Sequence, residues 1–188
     1  MAKFEVAEAI TGRNEGGYAN NPADRGGETF AGIARNFWPA WEGWKYIDRY
    51  KADYKKANTK LTLAKWINAS AKVPTEPVGQ MISHFYKVNF WFLNRLDQLN
   101  CQQLANTVYD FGVNSGKGRA AKFLQKVVGT NQDGQVGEKT INAANSIDCK
   151  AAVTMYNSYR KEYYLSIAKG DQAQFLDSWL SRLKPYQA

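Results

Sequence analysis

Apolar residues along most of this chain recur every three or four positions, the period of a helix with one buried face. Phe4, Ala7 and Ile10 predict a short first helix that stops near Gly12 or Gly16. Residues 40–56 and 60–71 predict two more. Pro74 and Pro77 interrupt the chain, and Pro77 suits the first turn of the next helix. Met81, Phe85, Val88, Phe92 and Leu96 then predict one buried face, with Tyr86 off it. Leu104, Val108 and Phe111 repeat likewise before a stop at residues 112–118, and Ala120, Phe123 and Val127 follow. Ala152, Tyr156, Tyr159, Tyr163 and Ile167 predict a long helix with an aromatic face, and a last helix covers about residues 173–183. Strand signal is confined to residues 18–33, where short extended pieces predict a small hairpin around Gly26 and Gly27. The fold class is therefore mainly α, with one small β or irregular element after the first helix.

Composition adds three limits. Hydrophobic residues make up 44% of the 188, enough for a sizeable core and against global disorder. No apolar run approaches the roughly 20 residues of a membrane span, and the acidic N-terminal segment lacks the apolar core of a signal peptide. Synthesis in the cytoplasm without membrane insertion is the expectation, and action outside then needs another exit route. The net charge of +8 favours polyanionic partners. Its cations are dispersed, the densest group being Lys51, Lys55, Lys56 and Lys60, which reads as a solvated surface and not as a nucleic-acid-reading helix. Cys101 and Cys149 are far apart and read most simply as buried thiols.

The candidate chemistry narrows by elimination. His84 is the single histidine and reads as a surface or structural residue. Nucleophile–histidine and histidine–metal systems lose support, no phosphate loop occurs, and no metal or cofactor is expected. The segment NQDGQVGEKT lacks the ligand spacing of a calcium loop and reads as a tight turn before a short helix. Carboxylate chemistry remains, and the stretch EGGYANNPADRGGETFAGIA (15–34) concentrates it. Glycoside hydrolysis needs a protonated donor for the leaving oxygen, and a second carboxylate to activate water or stabilise positive charge. Glu15 follows an apolar-faced helix and precedes Gly16 and Gly17, which permit a sharp turn and a close approach of substrate. Asp24 comes nine residues later, and Thr29 five after that. From residues alone, Glu15 is equally an exposed turn acid, Asp24 an Asx-turn residue and Glu28 a solvated acid; spacing leaves both readings open.

The run EGGYANNPADRGGETFAGI (15–33) closely resembles the N-terminal signature of glycoside hydrolase family 108, which comprises phage endolysins and secretion-activator-type N-acetylmuramidases. HFYKVNFW (84–91) resembles that family's tyrosine/tryptophan helix. VYDFGVNSG (108–116), AAKFLQ (120–125) and DGQVGEKT (133–140) resemble its companion peptidoglycan-binding region. The resemblance implies a lysozyme-like, mainly helical fold and cleavage of the β-1,4 bond between N-acetylmuramic acid and N-acetylglucosamine. It implies that Glu15 is the catalytic glutamate. Asp24 and Thr29 are similar to the Asp and Thr of phage-type lysozymes, although the Asp-to-Thr gap is one residue shorter. Arg25 stands where relatives often have Pro, beside Asp24, and favours its ionised form. Ala34 replaces a frequent Thr.

Further candidates are substrate contacts. Tyr18, Tyr86 and Trp91 are candidate cleft residues. Tyr109, Asp110 and Asn114 precede a glycine-rich stop and suit hydrogen bonds to acetamido groups or stem peptide, or a plain helix end. The aromatic group Phe37, Trp38, Trp41, Trp44 and Tyr46 suits either a cleft wall or a core. The expected organisation is a muramidase catalytic region at 1–94 and a helical peptidoglycan-binding region at 95–188, packed as one compact monomer. The expected partners are peptidoglycan glycan strands and a holin or other export partner, with no nucleic acid. The alternative is a non-catalytic wall-binding module or secretion accessory protein.

Overall fold

The computed structural model describes residues 1–11, 16–21, 26–72 and 76–183. Its chain contacts divide it into two compact units: Gly12–Phe85, and Met1–Thr11 together with Tyr86–Ala188. The fold is mainly α and lysozyme-like, with a small antiparallel sheet after the first helix.

In the Gly12–Phe85 unit, strands β1 (Tyr18–Asn20), β2 (Glu28–Phe30) and β3 (Ile33–Ala34) form an antiparallel sheet in that order. Phe30 pairs with both Tyr18 and Ile33. The β2–β3 turn is only Ala31-Gly32, both at positive φ (48° and 76°). That is the twist of the tight hairpin turns that match strand twist, and glycine reaches it without strain. Helices α2 (Trp44–Lys56) and α3 (Leu63–Ala71) pack on each other, with Ile47 and Ile67 fully buried. Thr62 caps α3 by accepting from the Lys65 N–H. Helix α4 (Pro77–Tyr86) begins at the proline, as its fixed φ favours.

The other unit is built around α5 (Gln102–Ser115), in which every residue from Leu104 to Gly112 is buried. A helix buried all round is a central helix. Around it lie α1 (Phe4–Thr11), α6 (Lys117–Val128) and α8 (Cys149–Ile167), with α7 (Glu138–Ser146) against α6 and α9 (Leu176–Ser181) against α8. Phe4, Trp91 and Tyr109 meet edge to face, with centroids 5.6–6.0 Å apart.

Two sequence expectations are corrected here. The stripe Met81–Phe85–Val88–Phe92–Leu96 does not stay buried: Val88 and Phe92 are 43% and 47% exposed, while Tyr86 and Trp91 are buried. Val88, Trp91 and Phe92 lie in a π-helical stretch, Lys87–Phe92, whose wider turn departs from the α-helical period. The cysteines are not thiols but a Cys101–Cys149 disulfide across 48 residues, with Cα atoms 5.6 Å apart. It ties the start of α5 to the start of α8. Asn145 reinforces the same junction by accepting from the Asn100 N–H and donating to the Gln98 carbonyl.

Candidate active site

The chemistry-bearing stretch lies on the three-stranded sheet. Glu15 and Asp24 fall outside the described residues; in sequence Glu15 immediately precedes Gly16, and Asp24 lies in the β1–β2 connection. Alternation along the strands separates the remaining two candidates. Glu28 and Phe30 share a face with Tyr18, and all three are largely buried. Thr29 is on the opposite face between its partners Ala19 and Ala34, so the hydroxyl stands among small side chains. Its Oγ1 donates to the Gly27 carbonyl at 3.2 Å, which leaves the oxygen's lone pairs available to a donor.

Glu28 is not the solvated acid expected from sequence. Its side chain is 10% exposed and joins three elements. Oε1 accepts from the Tyr18 phenol and from Lys51 Nζ, each at 2.8 Å, and Oε2 pairs with Arg35 Nε at 2.6 Å. Arg35 also forks onto Asp48, at 2.6 and 3.1 Å, and lies 4.4 Å over the Trp44 ring. Asp48 and Lys51 sit one turn apart on α2, so the cluster fastens the sheet to that helix. Burial and then the Glu28 hydrogen bond push the Tyr18 phenol up to about 12. Burial pulls Arg35 down, but its hydrogen bond to Asp48 and the charges of Glu28 and Asp48 outweigh it and raise it. The same hydrogen bond from Arg35 lowers Asp48. Glu28 thus holds the sheet in place, with both oxygens engaged within the protein.

The glycines of this stretch have specific tasks. A Cβ on Gly17 would lie 2.5 Å from the Asn68 amide, whose Oδ1 accepts from the Tyr18 N–H at 2.8 Å. Gly17 therefore lets α3 cap the first strand, a close approach of protein and not the room for substrate that sequence suggested. Gly27 sits at φ 64° against the Asn36 side chain. Trp38 and Trp41 pack edge to face on Phe85, Trp41 also on Trp44, and the Trp44 indole donates to the Trp38 carbonyl. Within this aromatic group Trp44 is buried, Trp38, Trp41 and Tyr46 are half-buried, and Phe37 is 65% exposed.

The remaining sequence candidates belong to the other unit. Trp91 (1% exposed), Tyr109 (2%) and Tyr86 (5%) are buried. Asp110 is 1% exposed and takes charge pairs from Arg160 at 2.5 Å and Arg182 at 3.0 Å, with Thr11 Oγ1 at 3.5 Å. Arg160 also reaches the Tyr164 phenol. Burial opposes its charge, yet the Asp110 charge more than compensates, and Arg160 is raised. Asn114 is exposed at the end of α5. Arg35, Asp48 and Arg160 were missed in the sequence, and Lys51, read there as part of a solvated surface, pairs with Glu28. The one usable signal was Arg160, a lone cation inside the α8 aromatic stripe. His84 is exposed, and no group of three or more potential metal ligands occurs among the described residues.

A family model described as glycosyl hydrolase 108 matches residues 9–116, more than half of the chain and including the whole EGGY-to-Ala34 stretch. The chain belongs to glycosyl hydrolase family 108. A second model, described as a predicted peptidoglycan domain, matches residues 119–184, from α6 through α9. The chain is also similar to the solved structure of Brucella abortus SagA, at 29% identity and a TM-score of 0.68, covering 97% of this chain and 90% of that one. No curated protein matches. This family 108 member is thus a glycoside hydrolase joined to a peptidoglycan domain.

Proposed function

We propose that the protein is an N-acetylmuramidase that cuts the β-1,4 bond between N-acetylmuramic acid and N-acetylglucosamine. Glu15 protonates the glycosidic oxygen; Asp24, with Thr29, positions water or stabilises the developing positive charge at the sugar carbon. The observation that carries this reading is the family match over the complete Glu15–Ala34 motif. The structure adds support by exclusion: of the motif's three carboxylates, Glu28 is already committed to Tyr18, Lys51 and Arg35. Thr29 lies on the other face of the same strand, flanked by alanines. In this reading, residues 1–94 supply the catalytic region and 95–188 hold the wall, with Asn114 the exposed member of the substrate-contact candidates.

The site of action is peptidoglycan, outside the cytoplasm, reached by release or with an export partner such as a holin. The Cys101–Cys149 disulfide supports this, because such bonds persist in oxidising compartments. No helix among the described residues is long and apolar enough to cross a membrane. The test is release of reducing ends from purified sacculi. Wild-type protein is expected to release them and Glu15→Gln to bind without release. Binding by both with release by neither would favour the non-catalytic wall-binding alternative.

A further inference from the structure

Two tyrosines of α8, Tyr159 and Tyr163, stand one helical turn apart, about 5–6 Å between Cβ atoms, beside α6. Each carries a cation from α6 over its ring. Lys126 Nζ lies 3.8 Å from the Tyr159 centroid, and the Arg119 guanidinium lies 4.5 Å from that of Tyr163. Phe123, between the two cations on α6, meets both tyrosines edge to face at 6.3 and 6.2 Å. The three rings are half-buried and the two cations exposed. Helix α6 holds Lys117, Arg119, Lys122 and Lys126 and no carboxylate. Glu162 is the single carboxylate of α8, and among the described residues it pairs with neither cation. The phenol hydroxyls of Tyr159 and Tyr163 donate to no described side chain or carbonyl.

We infer that the Arg119–Tyr163–Phe123–Tyr159–Lys126 strip is the face on which the 119–184 region grips a peptidoglycan strand. The inference rests on reading that region as peptidoglycan-binding, and it assigns the residues. The chemistry is matched part by part. Sugar rings offer C–H faces to ring edges and planes, and two rings at this spacing suit neighbouring saccharides. Phenol hydroxyls and the Arg119 guanidinium suit acetamido and carboxylate oxygens. The lactyl and stem-peptide carboxylates of the strand supply the anions that Lys126 and Arg119 lack among the described residues. Holding each cation over a ring fixes it at little further entropy on binding, which favours affinity.

The experiment is co-sedimentation of the full chain with purified sacculi stripped of anionic secondary polymers. Each variant is checked for an unchanged melting transition. Wild type is expected to bind. The surface double variant Arg119→Gln/Lys126→Gln is expected to lose about tenfold in affinity, each cation contributing a few-fold. Tyr159→Leu/Tyr163→Leu, should it fold, is expected to lose at least as much. Equal binding by wild type and the double Gln variant overturns the strip while leaving the peptidoglycan-binding reading intact. No binding by wild type overturns that reading itself. A loss seen only on walls that retain their anionic polymers overturns the assignment to the glycan strand.

Discussion

Two carboxylates, Glu28 and Asp110, each sit between two cations, and each fastens a different unit. Glu28 sits at the edge of its unit: Arg35 and Lys51 keep 30% and 32% of their side-chain surface in water, and Arg35 has Asp48 as a second anion. Asp110 sits in a core: Arg160 is wholly buried and Arg182 only 15% exposed. The same pairing therefore carries different risk. Removing Glu28 leaves cations that can turn to Asp48 or to solvent. Removing Asp110 strands the Arg160 charge in a low-dielectric interior with Tyr156 and Tyr164.

The largest effect in this contrast is expected at Asp110. Asp110→Ala should destabilise the protein by about 3–5 kcal/mol, read as the midpoint of chemical denaturation. A loss near that of an exposed ion pair would break the contrast. Opening the disulfide acts in the same unit without burying a charge. Cys101→Ser/Cys149→Ser is expected to cost roughly 2–4 kcal/mol, through the long loop the bond closes; reducing agent should produce the same shift in wild type and none in the variant. Glu28→Gln is expected to cost only about 1 kcal/mol. If it matched Asp110→Ala, partial exposure would not be the distinguishing variable.

Alkaline titration sharpens the contrast at its weakest end. The Tyr18 phenol is raised to about 12 in the fold, above the unfolded value near 10. Its folded state therefore holds a proton that the unfolded chain releases. This contribution is complete below pH 10 and is lost as pH rises towards 12. Melting temperature should fall through that window in wild type, and more gently in Tyr18→Phe. Parallel profiles would contradict a Tyr18 phenol raised by burial and by its hydrogen bond to Glu28.

The two regions also differ in how much of them the sequence disclosed. The helix that carries Asp110 was legible because Leu104, Val108 and Phe111 repeat at helical spacing, but its burial on every side takes in Asn106, Thr107 and Asp110, which no apolar stripe marks. The π-helical stretch broke that spacing locally, since nothing in KVNFWF announces a wider turn, and there Val88 is exposed and Trp91 buried. Ion pairs carry no period. Glu28 meets Arg35 seven residues on and Lys51 twenty-three on, and Asp110 meets Arg160 fifty on. Partners so spaced are chosen by the fold. The disulfide is the same case, because two cysteines 48 residues apart reveal their pairing only once α5 and α8 are placed. At the candidate site, residue types and order pointed to carboxylate chemistry, and the motif's resemblance pointed to Glu15. The structure contributed the separation of Thr29 from Glu28 on opposite faces of one strand, and a protein-packing reason for Gly17.

The most direct test of the muramidase reading is mass spectrometry of muropeptides released from purified peptidoglycan by wild type and by Glu15→Gln. After borohydride reduction, the wild-type digest should carry reduced ends at muramic acid, and the Glu15→Gln digest should be empty. Reduced ends at glucosamine, anhydro ends or cleaved stem peptides in the wild-type digest would contradict the proposed bond. A full muropeptide pattern from Glu15→Gln would contradict the proposed acid.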